Sequence, residues 1–112
     1  MSFSTQPVSE DTLIITIGDT LNFRNADAFK AALQAPIENG KRQFILDFSG
    51  TEVLDSSGLG ALLSLYRRVA ARGGSVAFAN ASDPVRVVVD LTRTYKIFPQ
   101  YDAVADARAD LT

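Results

Sequence analysis

The sequence predicts an α/β domain, a mixed and largely parallel sheet of about four to five strands with about four helices, in the order β-β-α-β-α-β-α-β-α. Three observations carry that expectation. Short β-branched or apolar runs at 12–17, 43–48 and 75–79 alternate with stretches whose apolar residues recur every three or four positions. Glycines, with a proline at the start of one helix, punctuate the changes of period. The connections are only a few residues long, as a compact α/β unit requires. With 112 residues, 46% of them hydrophobic and 21% charged, the chain suits one globular domain over 1–112.

Thr12-Leu13-Ile14-Ile15-Thr16-Ile17 reads as a strand that stops at Gly18-Asp19-Thr20, with a weaker strand before it near 3–8. Ala26, Phe29, Leu33 and Ile37 then form the buried stripe of a helix over 25–38, capped by Asn25 and ended by Gly40. Pro36 sits awkwardly inside it and predicts a kink or stop near Ala35. Gln43-Phe44-Ile45-Leu46-Asp47-Phe48 is almost continuously apolar, the pattern of a central strand covered on both faces. From 57 to 72, Leu59, Leu62, Leu63, Tyr66, Val69 and Ala70 follow helical spacing, with Gly60, Ser64, Arg67 and Arg68 on the other side. Arginines at 67, 68 and 72 complement the negative end of that helix, and Gly73-Gly74 supply its left-handed exit. Ser75-Val76-Ala77-Phe78-Ala79 is the next strand, and Asp83-Pro84 predicts an N-cap followed by proline at the first position of a helix through Leu91. Lys96-Ile97-Phe98 is a short strand candidate, and Ala103, Val104, Ala107 and Leu111 space a closing helix against the sheet.

Composition removes many functions. The 11 basic and 13 acidic residues are scattered, so no basic stripe exists to neutralise a nucleic-acid backbone, and no nucleic-acid partner is expected. Cysteine and histidine are absent, which removes thiolate chemistry, imidazole bases and the usual zinc ligand sets; no catalytic residue, metal or cofactor is assigned. The start, Met1-Ser2-Phe3-Ser4-Thr5-Gln6-Pro7, has no basic and apolar leader pattern, and no apolar run nears the roughly 20 residues that span a bilayer. A cytoplasmic protein without membrane insertion is the expectation.

What remains is Asp55-Ser56-Ser57-Gly58-Leu59-Gly60, at the start of the best-patterned helix, where open α/β sheets place ligand or effector groups. Backbone N–H groups of a first helical turn favour negative charge, so a phosphate is the natural occupant. Gly58 and Gly60 leave little side chain around the hydroxyls. Three other readings of the segment stand beside this one. Ser56, Ser57 or Asp55 caps the helix; or the glycines cradle a nucleotide, though the third glycine of the dinucleotide fingerprint and the P-loop lysine are missing; or a serine is a nucleophile, with neither a histidine nor a G-x-S-x-G elbow to activate it. A receiver-type phospho-aspartate at Asp47 lacks the upstream acidic pair.

Three stretches resemble the STAS family, specifically free-standing bacterial anti-sigma-factor antagonists of the SpoIIAA and RsbV type. They are Phe44-Ile45-Leu46-Asp47-Phe48 with Val53-Leu54-Asp55-Ser56-Ser57-Gly58-Leu59-Gly60, the exit Gly73-Gly74 with its strand, and Tyr95-Lys96-Ile97-Phe98 with 102–107. The resemblance implies a STAS fold and a phosphorylation-controlled switch that is not an enzyme. It implies that Ser56, with Ser57 as alternative, is phosphorylated by an anti-sigma factor that is also a serine protein kinase, and reset by a PP2C-type phosphatase. The unphosphorylated form would bind the anti-sigma factor and release sigma. Candidate partner-binding residues are Asp55, Ser56, Ser57, Gly58, Gly60, Ser64, Arg67 and Arg68.

The family's short G-x-L-D turn is here Gly18-Asp19-Thr20-Leu21-Asn22, one residue longer and with Asn22 where the aspartate falls. Either Asp19 takes over partner recognition or recognition follows a variant pattern around Asn22. The same resemblance admits a non-enzymatic subunit of a stressosome or of a lipid-transport ABC system, or a weak nucleotide-binding STAS domain.

Overall fold

The computed structural model describes residues 3–111, so Met1 and Ser2, the start of the stretch read for a leader, lie outside the described residues. Its strands are β1 (Ser4–Pro7), β2 (Thr12–Thr16), β3 (Thr20–Leu21), β4 (Gln43–Asp47), β5 (Val53–Leu54), β6 (Ser75–Ala79) and β7 (Gln100–Tyr101). Its helices are α1 (Ala26–Ala32), α2 (Gln34–Glu38), α3 (Ser56–Ala70), α4 (Asp83–Thr92) and α5 (Val104–Leu111). The main sheet has five strands in the order β1-β2-β4-β6-β7. Only β1 runs antiparallel to its neighbour; β2, β4, β6 and β7 are parallel, with Ile15 beside Leu46 and Leu46 beside Phe78.

Strand alternation divides the core. Leu13, Ile15 and Ile17 of the β2 region, Phe44, Leu46 and Phe48 around β4, and Val76 and Phe78 of β6 face the main cluster, shared with Phe29, Leu62, Leu65 and Val89 of the helices. The intervening Ile14, Ile45 and Ala79 face the other way and pack with Ala107 of α5. The near-continuous apolar run of 43–48 is thus the sequence of a strand buried on both faces, as expected for the sheet centre.

Four elements differ from expectation. Pro36 lacks the N–H that would bond the Ala32 carbonyl, and α1 ends at Ala32, so the break falls at Leu33, before Ala35; Pro36 then sits in the first turn of α2, where an N–H is dispensable. Asn25 precedes α1 but makes no capping bond, because its side chain is turned back into the preceding loop. The N-cap position of α4 is taken by Ser82 and not Asp83, and its hydroxyl is drawn off to the Thr51 carbonyl at 2.5 Å. Lys96-Ile97-Phe98 is not a strand: Thr94–Lys96 is a 3-10 turn entered through left-handed Arg93, and the strand is β7, just beyond. Phe98 is apolar because it plugs the core, stacked on Phe78 with centroids 4.5 Å apart.

Of the paired glycines after α3, only Gly73 takes the left-handed conformation, with φ +80°. Gly74 serves close packing, since a Cβ there would lie 2.0 Å from the Arg42 carbonyl oxygen. Among the described residues no helix is long and apolar enough to cross a membrane.

Candidate functional site

A two-stranded parallel sheet that no periodicity announced builds the site. Thr20 pairs with Val53 and Leu21 with Leu54. The Asp19 carbonyl accepts the Glu52 and Val53 amides at 2.8 and 3.2 Å, and buried Thr51 donates its hydroxyl to the Gly18 carbonyl at 2.7 Å. These bonds dock the 18–22 turn beside the chain entering α3. Two regions remote in sequence become one surface.

Asp55 sits at the junction in extended backbone and is the N-cap of α3. One carboxylate oxygen, Oδ1, accepts the Gly58 amide at 2.8 Å; the other, Oδ2, accepts the Phe23 amide at 3.0 Å. Asp55, not a serine, therefore caps the helix, and the same side chain holds the 22–25 loop. Replacing it with alanine, Asp55→Ala, is expected to lower unfolding free energy by about 2 kcal/mol, at the upper end for a lost cap because a second bond goes with it. Urea unfolding of the two proteins measures this.

With the cap in place, Ser56 and Ser57 occupy the first two helical positions and are exposed. Their side chains make no hydrogen bond among the described residues, and their amides are the first-turn donors that Asp55 leaves unused. An anion carried on Ser56 Oγ would meet free N–H groups and the positive end of a 15-residue helix.

The other candidates divide. Gly60 and Arg67 are exposed and Ser64 half-buried; eleven residues of helix are about three turns, so Arg67 returns to the Ser56 side. Arg68 does not join that face. It is half-buried, one guanidinium N–H donates to the Lys30 carbonyl at 3.3 Å, and its Nε is buried without a partner, so it packs α3 against α1. The buried stripe of α3 is Gly58, Ala61, Leu62, Leu65 and Val69, whereas Leu59, Leu63 and Tyr66 are half-buried and Ala70 is exposed. Gly58 faces inward as well: a Cβ there would stand 2.3 Å from the Leu21 carbonyl oxygen, so its role is close packing and not an open approach to the serines.

Asp19 is exposed on the turn, while half-buried Asn22 is used locally. The Asn22 side-chain oxygen accepts the Arg24 amide at 3.0 Å and its carbonyl accepts the Asn25 and Ala26 amides. Next to Asn22, with its amide on the Asp55 carboxylate, is a residue that sequence reasoning passed over, Phe23, 67% exposed with the Arg24 guanidinium 5.5 Å from its ring centre. The signal was present as an aromatic inside the polar run Asn22-Phe23-Arg24-Asn25, too short for any period to mark.

Among the described residues no three acidic side chains are grouped to hold a metal ion. Two surface clefts, of about 300 and 260 Å³, lie near Arg86 and Tyr95 and near Arg68 and Arg72, and neither is lined by residues 55–60.

The sequence profile of the STAS domain family matches residues 5–107. The anti-sigma F factor antagonist of Paenibacillus polymyxa is 27% identical over 100 residues, which cover 88% of this chain and 86% of that protein. In structure, the chain is similar to tm1081 of Thermotoga maritima, described as a candidate anti-sigma factor antagonist, with a TM-score of 0.89, 25% identity, and coverage of 97% of this chain and 93% of that one. It is similar in fold to the anti-sigma factor antagonist SpoIIAA in its unphosphorylated form, with a TM-score of 0.84, 24% identity, and coverage of 97% and 94%.

Proposed function

Because the chain belongs to the STAS domain family, we propose that it is an anti-sigma factor antagonist, a cytoplasmic single-domain binding protein whose grip on an anti-sigma factor is set by a phosphate on Ser56. The observation that carries this reading is the exposed, unengaged Ser56 hydroxyl at the first position of α3, directly behind an aspartate cap that keeps the helix start ordered. The named relative in Paenibacillus polymyxa adds the direction of the function.

In this reading the unphosphorylated surface binds an anti-sigma factor with serine kinase activity and sigma is set free. The kinase moves the γ-phosphoryl group of ATP to Ser56 Oγ, the hydroxyl proton goes to a base of the kinase, and ADP leaves. A PP2C-type phosphatase then hydrolyses the ester with water, returning the hydroxyl and inorganic phosphate. The chain contributes no catalytic group. Its part is to present Ser56 on a rigid helix start and to tolerate the product there.

The test is a mass measurement after incubation with ATP and the serine-kinase anti-sigma factors of the source organism, taken one at a time. One of them should add a single phosphate to the wild-type chain and to Ser57→Ala, and none to Ser56→Ala. Full modification of Ser56→Ala would move the site elsewhere.

A second reading, a non-enzymatic subunit of a larger assembly, draws on Val87, Leu91, Tyr95 and Ile97, large apolar residues exposed on α4 and the turn after it. Retrieval of a transporter ATPase subunit in place of a kinase would favour it.

A further inference from the structure

Resting on the antagonist reading, we infer that Phe23 is the apolar anchor of the docking surface, and that the anti-sigma factor receives it in an apolar socket edged by carboxylates. A phenylalanine with 67% of its surface exposed has apolar area left to bury on binding, and the loop that carries this one is held in place. The Asn22 amide donates to Asn25 Oδ1 at 2.9 Å, the Phe23 amide to Asp55 Oδ2 at 3.0 Å, the Arg24 amide to Asn22 Oδ1 at 3.0 Å, and Asn25 Nδ2 to the Thr20 carbonyl at 2.8 Å. Each residue from 22 to 25 thus has a bond that fixes the loop, and the ring is presented without the ordering cost that a free loop would incur on binding.

Continuity with the serine helix selects this aromatic over the other exposed apolar residues. The carboxylate that caps α3 in front of Ser56 also holds the Phe23 amide, so anchor and phosphorylation site share one support. Val87, Leu91, Tyr95 and Ile97 have no such link, and Val53, two residues before Asp55, is exposed there too but adds a smaller and less exposed apolar group, at 44% against 67%. Beside the ring this face leaves two cations unmatched, with the exposed Asp19 carboxylate on the turn before it likewise without an ion pair among the described residues. Arg24 lies over the Phe23 ring and Arg67 on the Ser56 side of α3, and neither is ion-paired among the described residues. Carboxylates around the socket would meet both, and would repel a phosphate placed on Ser56. The anchor and the switch then act through the same partner surface.

The experiment is a titration of the kinase-type anti-sigma factor with the wild-type chain and with Phe23→Ala, Phe23→Leu and the control Leu91→Ala. Phe23→Ala should weaken binding by about thirtyfold or more, the loss typical of a central aromatic anchor, while Phe23→Leu keeps most of the affinity. Leu91→Ala should bind like wild type, and all variants should unfold at the wild-type temperature because both side chains lie in solvent. Binding of Phe23→Ala within threefold of wild type overturns the anchor and leaves the antagonist reading intact. A wild-type chain that binds no kinase-type anti-sigma factor overturns both.

Discussion

Gly58→Ala is expected to lower the unfolding free energy by about 3 kcal/mol, and to disturb the serine surface although it touches neither serine. The first turn of α3 lies against β3 so closely that an added Cβ would stand 2.3 Å from the Leu21 carbonyl oxygen, 2.9 Å from its carbon, and 2.9 Å from Leu54 Cδ1. Two of those atoms are backbone and cannot swing aside. Relief requires α3 to move away from β3, which strains the Gly58–Asp55 capping bond and the Phe23–Asp55 bond that depend on the present spacing. Gly60→Ala two residues on is the matched control. Nothing lies within 4 Å of the point its methyl group would occupy, so the ordinary helical preference for alanine should make it neutral or stabilising by up to about 1 kcal/mol. Urea unfolding of the three proteins separates close packing from glycine content.

Phosphorylation of Ser56 is expected to weaken binding to the anti-sigma factor on the order of a hundredfold while leaving the fold in place. A phosphoserine adds about −1.5 to −2 charges and three strong acceptors at a single point of the surface. Within the free chain that charge is well received, because the Ser56 and Ser57 amides are unused and the helix dipole is favourable, although the Asp55 carboxylate stands beside it. Within a complex the same dianion must lose water against the partner, and like charges brought together at an interface cost several kcal/mol. On the proposed reading, the imbalance between a tolerant free state and an intolerant bound state would make the modification a switch of affinity and not of shape.

Much of the sheet is legible in the sequence, since β2, β4 and β6 are near-continuous apolar or β-branched runs of strand length, and α3 and α5 carry stripes that register as helices. Failures cluster where an element is too short for periodicity. The β3–β5 pair has two residues a side and is held by carbonyls of a turn, and Gln100–Tyr101 is identified by its pairing with Phe78 and Ala79 and not by its own composition. Phe98 misled because an apolar residue next to isoleucine resembles a strand whether it enters a ladder or plugs a core.

The candidate site shows the same boundary. Its helix start, Asp55-Ser56-Ser57, is a local signal and was readable. That the capping carboxylate of Asp55 also holds the Phe23 amide, 32 residues away, is a contact outside any local pattern. Arg68 was misplaced because helical spacing assigns it to the outer side, whereas the neighbouring Lys30 carbonyl draws it inward. Gly58 likewise owes its burial to Leu21, a contact no local pattern contains.

Calorimetric titration of one anti-sigma factor with two preparations of the chain, unmodified and fully phosphorylated on Ser56, is the most direct test. The unmodified chain should bind and the phosphorylated chain should bind on the order of a hundredfold more weakly. Equal affinity of the two forms, within threefold, would contradict a switch at Ser56.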